Sequence, residues 1–185
     1  AERFSAAGSK LLSATSLPVR QRHWAAFAVM TLIPPHPDNN AHVDRLLAEI
    51  PTWMDSWEIN RQLCFRRRMQ GRHDEALAAG RRAVALAPDG RERGRSLLEL
   101  SHSEEVNLPG SGLEMVDKAI ALATEHQDGV FETAARVART VTLLSVRRPD
   151  EALVESSLAE VAARAEGSPQ SIVSVTGLRG VLLNH

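Results

Sequence analysis

Gly71-Arg72-His73-Asp74-Glu75-Ala76-Leu77 returns in altered form as Arg147-Arg148-Pro149-Asp150-Glu151-Ala152-Leu153. The shared Asp-Glu-Ala-Leu core recurs after 150 − 74 = 76 residues, or two units of 38. A second match, Ala83-Val84-Ala85-Leu86-Ala87 against Ala119-Ile120-Ala121-Leu122-Ala123, gives 119 − 83 = 36. Two independent offsets therefore agree on a unit of 36–38 residues, the length of one helical hairpin in a repeat protein. Within the first unit, residues 73–87 follow the helical period. At 100° per residue Ala76, Gly80, Ala83, Val84 and Ala87 fall on one stripe bordered by Leu77, and Asp74, Glu75, Arg81 and Arg82 fall opposite. A buried stripe of Ala and Gly lets a neighbouring helix approach closely, and makes a poor lining for a large ligand pocket.

Working outward, helix breakers stand where successive hairpins need turns: Pro34–Asn40, Ala87–Gly90, Asn107–Gly112 and Gly167–Pro169. Between them the pattern predicts helices near 3–14, 18–32, 41–50, 53–70, 73–87, 91–106, 112–126, 130–146, 149–165 and 169–183. No segment shows the alternation of a half-buried strand. The expected fold is all-α, an α-solenoid of about four stacked antiparallel hairpins forming a single domain over 1–185. Its units are a divergent repeat at 1–51, repeats at 53–88, 91–126 and 130–165, and a terminal helix at 169–183. A lone hairpin of this size cannot bury its apolar stripe, so neighbours must stack. The terminal helix has little polarity for a cap, which suggests a fragment of a longer array.

The segment Trp57–Pro88 resembles a tetratricopeptide repeat. Leu63 and Cys64 stand at the large and small positions of the first helix, Gly71 at its end, Ala76 and Ala83 at the paired alanines of the second, and Pro88 after it. Arg67 replaces the usual Tyr and Gly80 the usual aromatic. In 91–126, Leu97, Leu100 and Ser101 fit, the turn Asn107–Gly112 is longer, and Thr124 stands in place of Pro. In 130–165, Val137, Ala138 and Ala152 fit. Residues 1–51 match in pattern, with Ala48-Glu49-Ile50-Pro51 echoing a repeat end. The units are similar to the divergent repeats of bacterial regulators and adaptors. The resemblance implies a non-enzymatic scaffold that binds a protein or peptide in a concave groove lined by the first helix of each hairpin. By that register Arg61, Phe65 and Arg68, then Arg95, Glu99 and His102, then Arg136 and Arg139 face the groove. So much arginine would favour an acidic segment, because guanidinium pairs bidentately with planar oxyanions. An alternative reading is the sensor region of a bacterial transcription regulator whose DNA-binding domain lies elsewhere.

The composition bounds other classes. With 43% apolar and 24% charged residues and a net charge of −1, the chain is ordinary globular protein without an electrostatic case for direct nucleic-acid contact. Cys64 is the only cysteine, so neither an internal disulfide nor a four-cysteine zinc site can form, and its place between Leu63 and Phe65 marks a small core residue. No apolar run approaches the ~20 residues of a membrane span, and the start lacks signal-peptide features. The expectation is a cytoplasmic protein without cofactor, open to pairing as a homodimer. No catalytic arrangement emerges: Gly110-Ser111-Gly112 reads as a turn, and the histidines, His36, His42 and His102 among them, lack the i, i+4 spacing of a helical zinc site. Arg66-Arg67-Arg68 reads as a solvated face. Trp24, Trp53 and Trp57 read as core, with Trp53 and Trp57 sharing a helix face.

Overall fold

The computed structural model describes residues 2–13, 16, 18–33, 39, 41, 44, 45, 55–88 and 90–183. Among them it is all-helical, with no strand. The helices are α1 (Glu2–Ser13), α2 (Val19–Thr31), α3 (Trp57–Met69), α4 (His73–Leu86), α5 (Arg91–Asn107), α6 (Leu113–Glu125), α7 (Gly129–Ser145), α8 (Pro149–Glu166) and α9 (Pro169–Leu183). From α3 onward each helix packs on the next, and α3 also touches α5, α5 touches α7, and α7 touches α9. The helices α1 and α2 pack on each other. The predicted helix at 41–50, His36, His42, Trp53 and Ala48–Pro51 lie wholly or mostly outside the described residues.

Local chemistry sets the helix ends. Ser56, extended at φ −130° and ψ 165°, caps α3 by accepting from the Ile59 amide at 3.4 Å. The helix therefore begins at Trp57, and the expected shared face of Trp53 and Trp57 lies outside the described residues, since Trp53 does. Trp24 is also not a core residue: it is 41% exposed, with its ring edge-on to Phe27 at 5.9 Å. Gly71 closes α3 at φ +73°, where the Arg72 amide donates to the Arg67 carbonyl and the Gly71 amide to that of Arg68. Acidic pairs Asp74–Glu75 and Asp150–Glu151 occupy the first turns of α4 and α8, where they complement the helix dipole. Pro149 opens α8 at a position that needs no amide hydrogen.

The small-residue stripe of α4 is buried. Ala76 and Ala83 are fully inaccessible, Ala87 and Gly80 are buried, and Asp74, Glu75, Arg81 and Arg82 are exposed. A side chain at Gly80 would lie 2.8 Å from Leu100 Cδ1 and 3.0 Å from Cys64 Sγ, so α4 sits directly on α3 and α5. Facing serines extend the pattern: Ser96, Ser101 and Ser103 are buried on α5, with Ser96 and Ser101 donating to the carbonyls of Glu92 and Leu98. The apolar interior is split along the chain. Ala119, Ala123, Phe131 and Ala135 form one cluster, and Ala159, Ala163 and Val175 another. Among the described residues no helix is long and apolar enough to cross a membrane.

Candidate functional site

Three adjoining hollows run over α3, α5, α7 and α9. The first, about 450 Å³, lies between Leu32–Ile33 and the Arg61, Phe65 and Glu99 side chains. The second, about 280 Å³, shares Arg61 and Glu99 with it and adds Arg95, His102, Val130 and Ala134. The third, about 610 Å³, shares His102, Val130 and Ala134 with the second and extends past Val137 and Val141 to Val175. Six of the expected groove residues, Arg61, Phe65, Arg68, Arg95, Glu99 and His102, line this trough.

The other two lie elsewhere. Arg136 and Arg139, expected in the groove, do not line these hollows and enter an ion-pair network instead. Arg136 bonds Glu132 at 2.9 Å and Glu155 at 2.8 Å, and Arg139 bonds Asp117 at 2.6 Å and the second oxygen of Glu155 at 2.9 Å. Glu155 is only 5% exposed, and it ties α7 to α8. The face of α7 that does line the trough carries Val130, Ala134, Val137 and Val141. At 100° per residue, Arg136 and Arg139 fall on the far side of the helix from those four. Val130, Val137 and Val141 are spaced seven and four residues apart, so the helical period puts them on one face.

The basic run is not a solvated face either. Arg66 is 4% exposed and donates to the Thr31 carbonyl at 3.0 Å, linking α3 to α2. Arg67 bonds Asp44 and, at 2.7 Å, the Gln70 amide oxygen. Arg68 pairs with Glu99 at 2.9 Å. The guanidinium groups of Arg66 and Arg68 also lie 5.7 and 5.5 Å from the Phe65 ring, within cation–π range.

Charge in the trough is unevenly compensated. Arg68 holds Glu99, and Asp128 accepts from Arg91 at 3.0 Å and Arg95 at 3.1 Å while capping the Phe131 amide. Arg61 makes no ion pair among the described residues, and its Nε is buried without a hydrogen-bond partner. Burial lowers its pKa, partly offset by the nearby Glu99 carboxylate, yet an arginine stays charged at neutral pH. Burial also lowers the pKa of His102, which favours the neutral ring. The Cys64 thiol is fully buried, lies 3.2 Å from Ser103 Oγ, and is pushed up to about 11 by burial, so no thiolate forms near neutrality. Among the described residues no group of three His, Cys, Asp or Glu side chains could hold a metal ion.

No protein-family model matches the sequence, and a search of curated proteins finds no match.

Proposed function

We propose that the chain is a tetratricopeptide-like solenoid that binds an extended, acidic segment of a protein or peptide, without catalysing a reaction. The contact order supports the architecture: α3, α5, α7 and α9 touch one another in sequence, with α4, α6 and α8 interleaved, as the first and second helices of stacked hairpins would be. The trough lies on the first-helix set, the wall where such arrays present a surface. The observation that carries the binding reading is Arg61. It is a half-buried guanidinium shared by two hollows, and among the described residues it makes no ion pair, Glu99 and Glu58 acting on it only from beyond ion-pair distance. Buried cations are normally paired, so an incoming carboxylate supplies what the fold omits.

Fluorescence anisotropy with acidic and basic peptide libraries tests this. Acidic peptides should bind preferentially, and Arg61→Gln should weaken them by about 10–100-fold, the range for a hydrogen bond to a charged group. A preference for basic peptides, or no effect of Arg61→Gln, would end the reading.

A further inference from the structure

We propose that the third hollow, between α7 and α9, is an anchor site for one aliphatic side chain (Leu, Ile or Val) of the segment whose carboxylate sits at Arg61. This rests on the groove reading above and adds the second half of the ligand's chemistry.

The hollow's size, about 610 Å³, falls within the range of roughly 300–1,000 Å³ in which ligand sites are found. Its apolar walls are aliphatic only, from Val130, Ala134, Val137, Val141 and Val175. Val130 and Val141 remain 58% and 50% exposed, so α7 leaves two large apolar side chains uncovered on the face turned away from α6 and α8. Isolated exposed valines carry no message, whereas several around one hollow do.

A polar signal stands beside them. Thr133 is 4% exposed, lines the same hollow, and its hydroxyl has no hydrogen-bond partner among the described residues. On the same helix Thr140 satisfies its hydroxyl by donating to the Arg136 carbonyl at 2.9 Å, which Thr133 does not do toward its own preceding turn. Buried polar groups are paired in the great majority of cases. A backbone amide or carbonyl of an occupant, seated beside its own aliphatic side chain, completes Thr133.

Charge sets the direction. Of the charged groups at this end, Arg68 is held by Glu99, and Glu105, which accepts from the Gly110 amide at 2.9 Å and from Ser145, repels an acidic group from the occupant. At the opposite end Arg61 attracts one, while Glu99 and Asp128 are already held by arginines. An occupant with an acid toward α3 and an aliphatic group toward α9 meets both ends. The trough is open to solvent along its length, which suits an extended peptide backbone better than a free aliphatic acid.

The test uses fluorescein-labelled peptides of about twelve residues in a Ser/Gly background, each with one Asp-Glu pair and one Leu at scanned spacings to either side. The tightest binder should lose about tenfold or more when its Leu becomes Asn, as expected for burial of one leucine side chain. Thr133→Val and Val141→Thr, both shape-preserving, should each weaken that peptide severalfold; Val141→Thr should leave its Asn counterpart unaffected, whereas Thr133→Val, which removes a bond to the peptide backbone, should weaken both. Thermal melts verify folding, and Val141→Thr, at an exposed position, keeps the test valid if Thr133→Val fails to fold. If Leu→Asn leaves Kd unchanged while Arg61→Gln still weakens binding, the acidic groove stands and the anchor site is wrong. Displacement of every peptide by octanoate at lower concentration overturns it in favour of a free aliphatic acid. Failure of all peptides to bind overturns both readings.

Discussion

Arg147 holds at φ +59° the left-handed position that Gly71 holds at φ +73°, 147 − 71 = 76 residues earlier. Both turns close in the same way: the Arg148 amide donates to the Leu143 carbonyl at 2.9 Å, as the Arg72 amide does to Arg67. The two sites differ only in whether a Cβ must tolerate that backbone. The left-handed conformation costs a side-chain-bearing residue about 1–2 kcal/mol, offset by about 0.4–1 kcal/mol through the less flexible unfolded chain. Nothing lies within 4 Å of a side chain at Gly71, so Gly71→Ala should cost only the net, about 0.5–1 kcal/mol. Arg147→Gly should gain a similar amount. Chemical denaturation of both variants checks this, and a gain from Gly71→Ala would show that the turn relaxes out of the left-handed region.

Ala83 is fully buried on the stripe that seats α4 against its neighbours. Ala83→Leu inserts extra carbons where no space exists and should destabilise by about 1–3 kcal/mol. A thermal melt that does not fall would place Ala83 off the packed face.

Glu155 gives one oxygen to Arg136 and the other to Arg139, and its side chain is 6% exposed. Glu155→Gln keeps the shape and removes the charge both guanidinium groups face. The loss should be about 2 kcal/mol. That is less than the 3–5 of a fully buried pair, because Glu132 and Asp117 remain as partners. Urea unfolding showing a loss near zero would mean that the network is solvated and energetically idle.

Cys64 supplies a pH dependence with a defined sign. Burial raises its pKa from 9.0 to about 11, so folding favours the neutral thiol. The contribution is present below pH 9 and is lost as pH rises through about 11, because the unfolded chain releases the proton first. The sequence has no Tyr, and Lys10 and Lys118 are its only lysines, so few other groups titrate in this window. Wild type should lose stability between pH 9 and 11 more steeply than Cys64→Ala. Equal slopes would show that the thiol is accessible, as would rapid alkylation of the native protein at pH 8.

The helices from α3 onward were legible because they rest on local rules: the 3.6-residue period, Gly and Pro punctuation, and acidic first turns. The same rules marked Ala76, Ala83 and Ala87 as buried, since a stripe's composition reveals which side meets another helix. Six of the eight residues that the repeat register put together, Arg61, Phe65, Arg68, Arg95, Glu99 and His102, line adjoining hollows. Arg136 and Arg139 do not, because their destination depends on Asp117 and Glu155, which lie on other helices.

The sequence by itself therefore determined the helices, their turns and the small-residue faces along which they pack, each a consequence of backbone preference and periodicity within some twenty residues. Tertiary structure alone decided which arginines are spent on internal carboxylates and which, like Arg61, are left without one. It also decided that Thr133 is buried beside valines without a hydrogen-bond partner among the described residues. Charge pairing depends on distances between side chains far apart in the chain, and no local pattern encodes those distances.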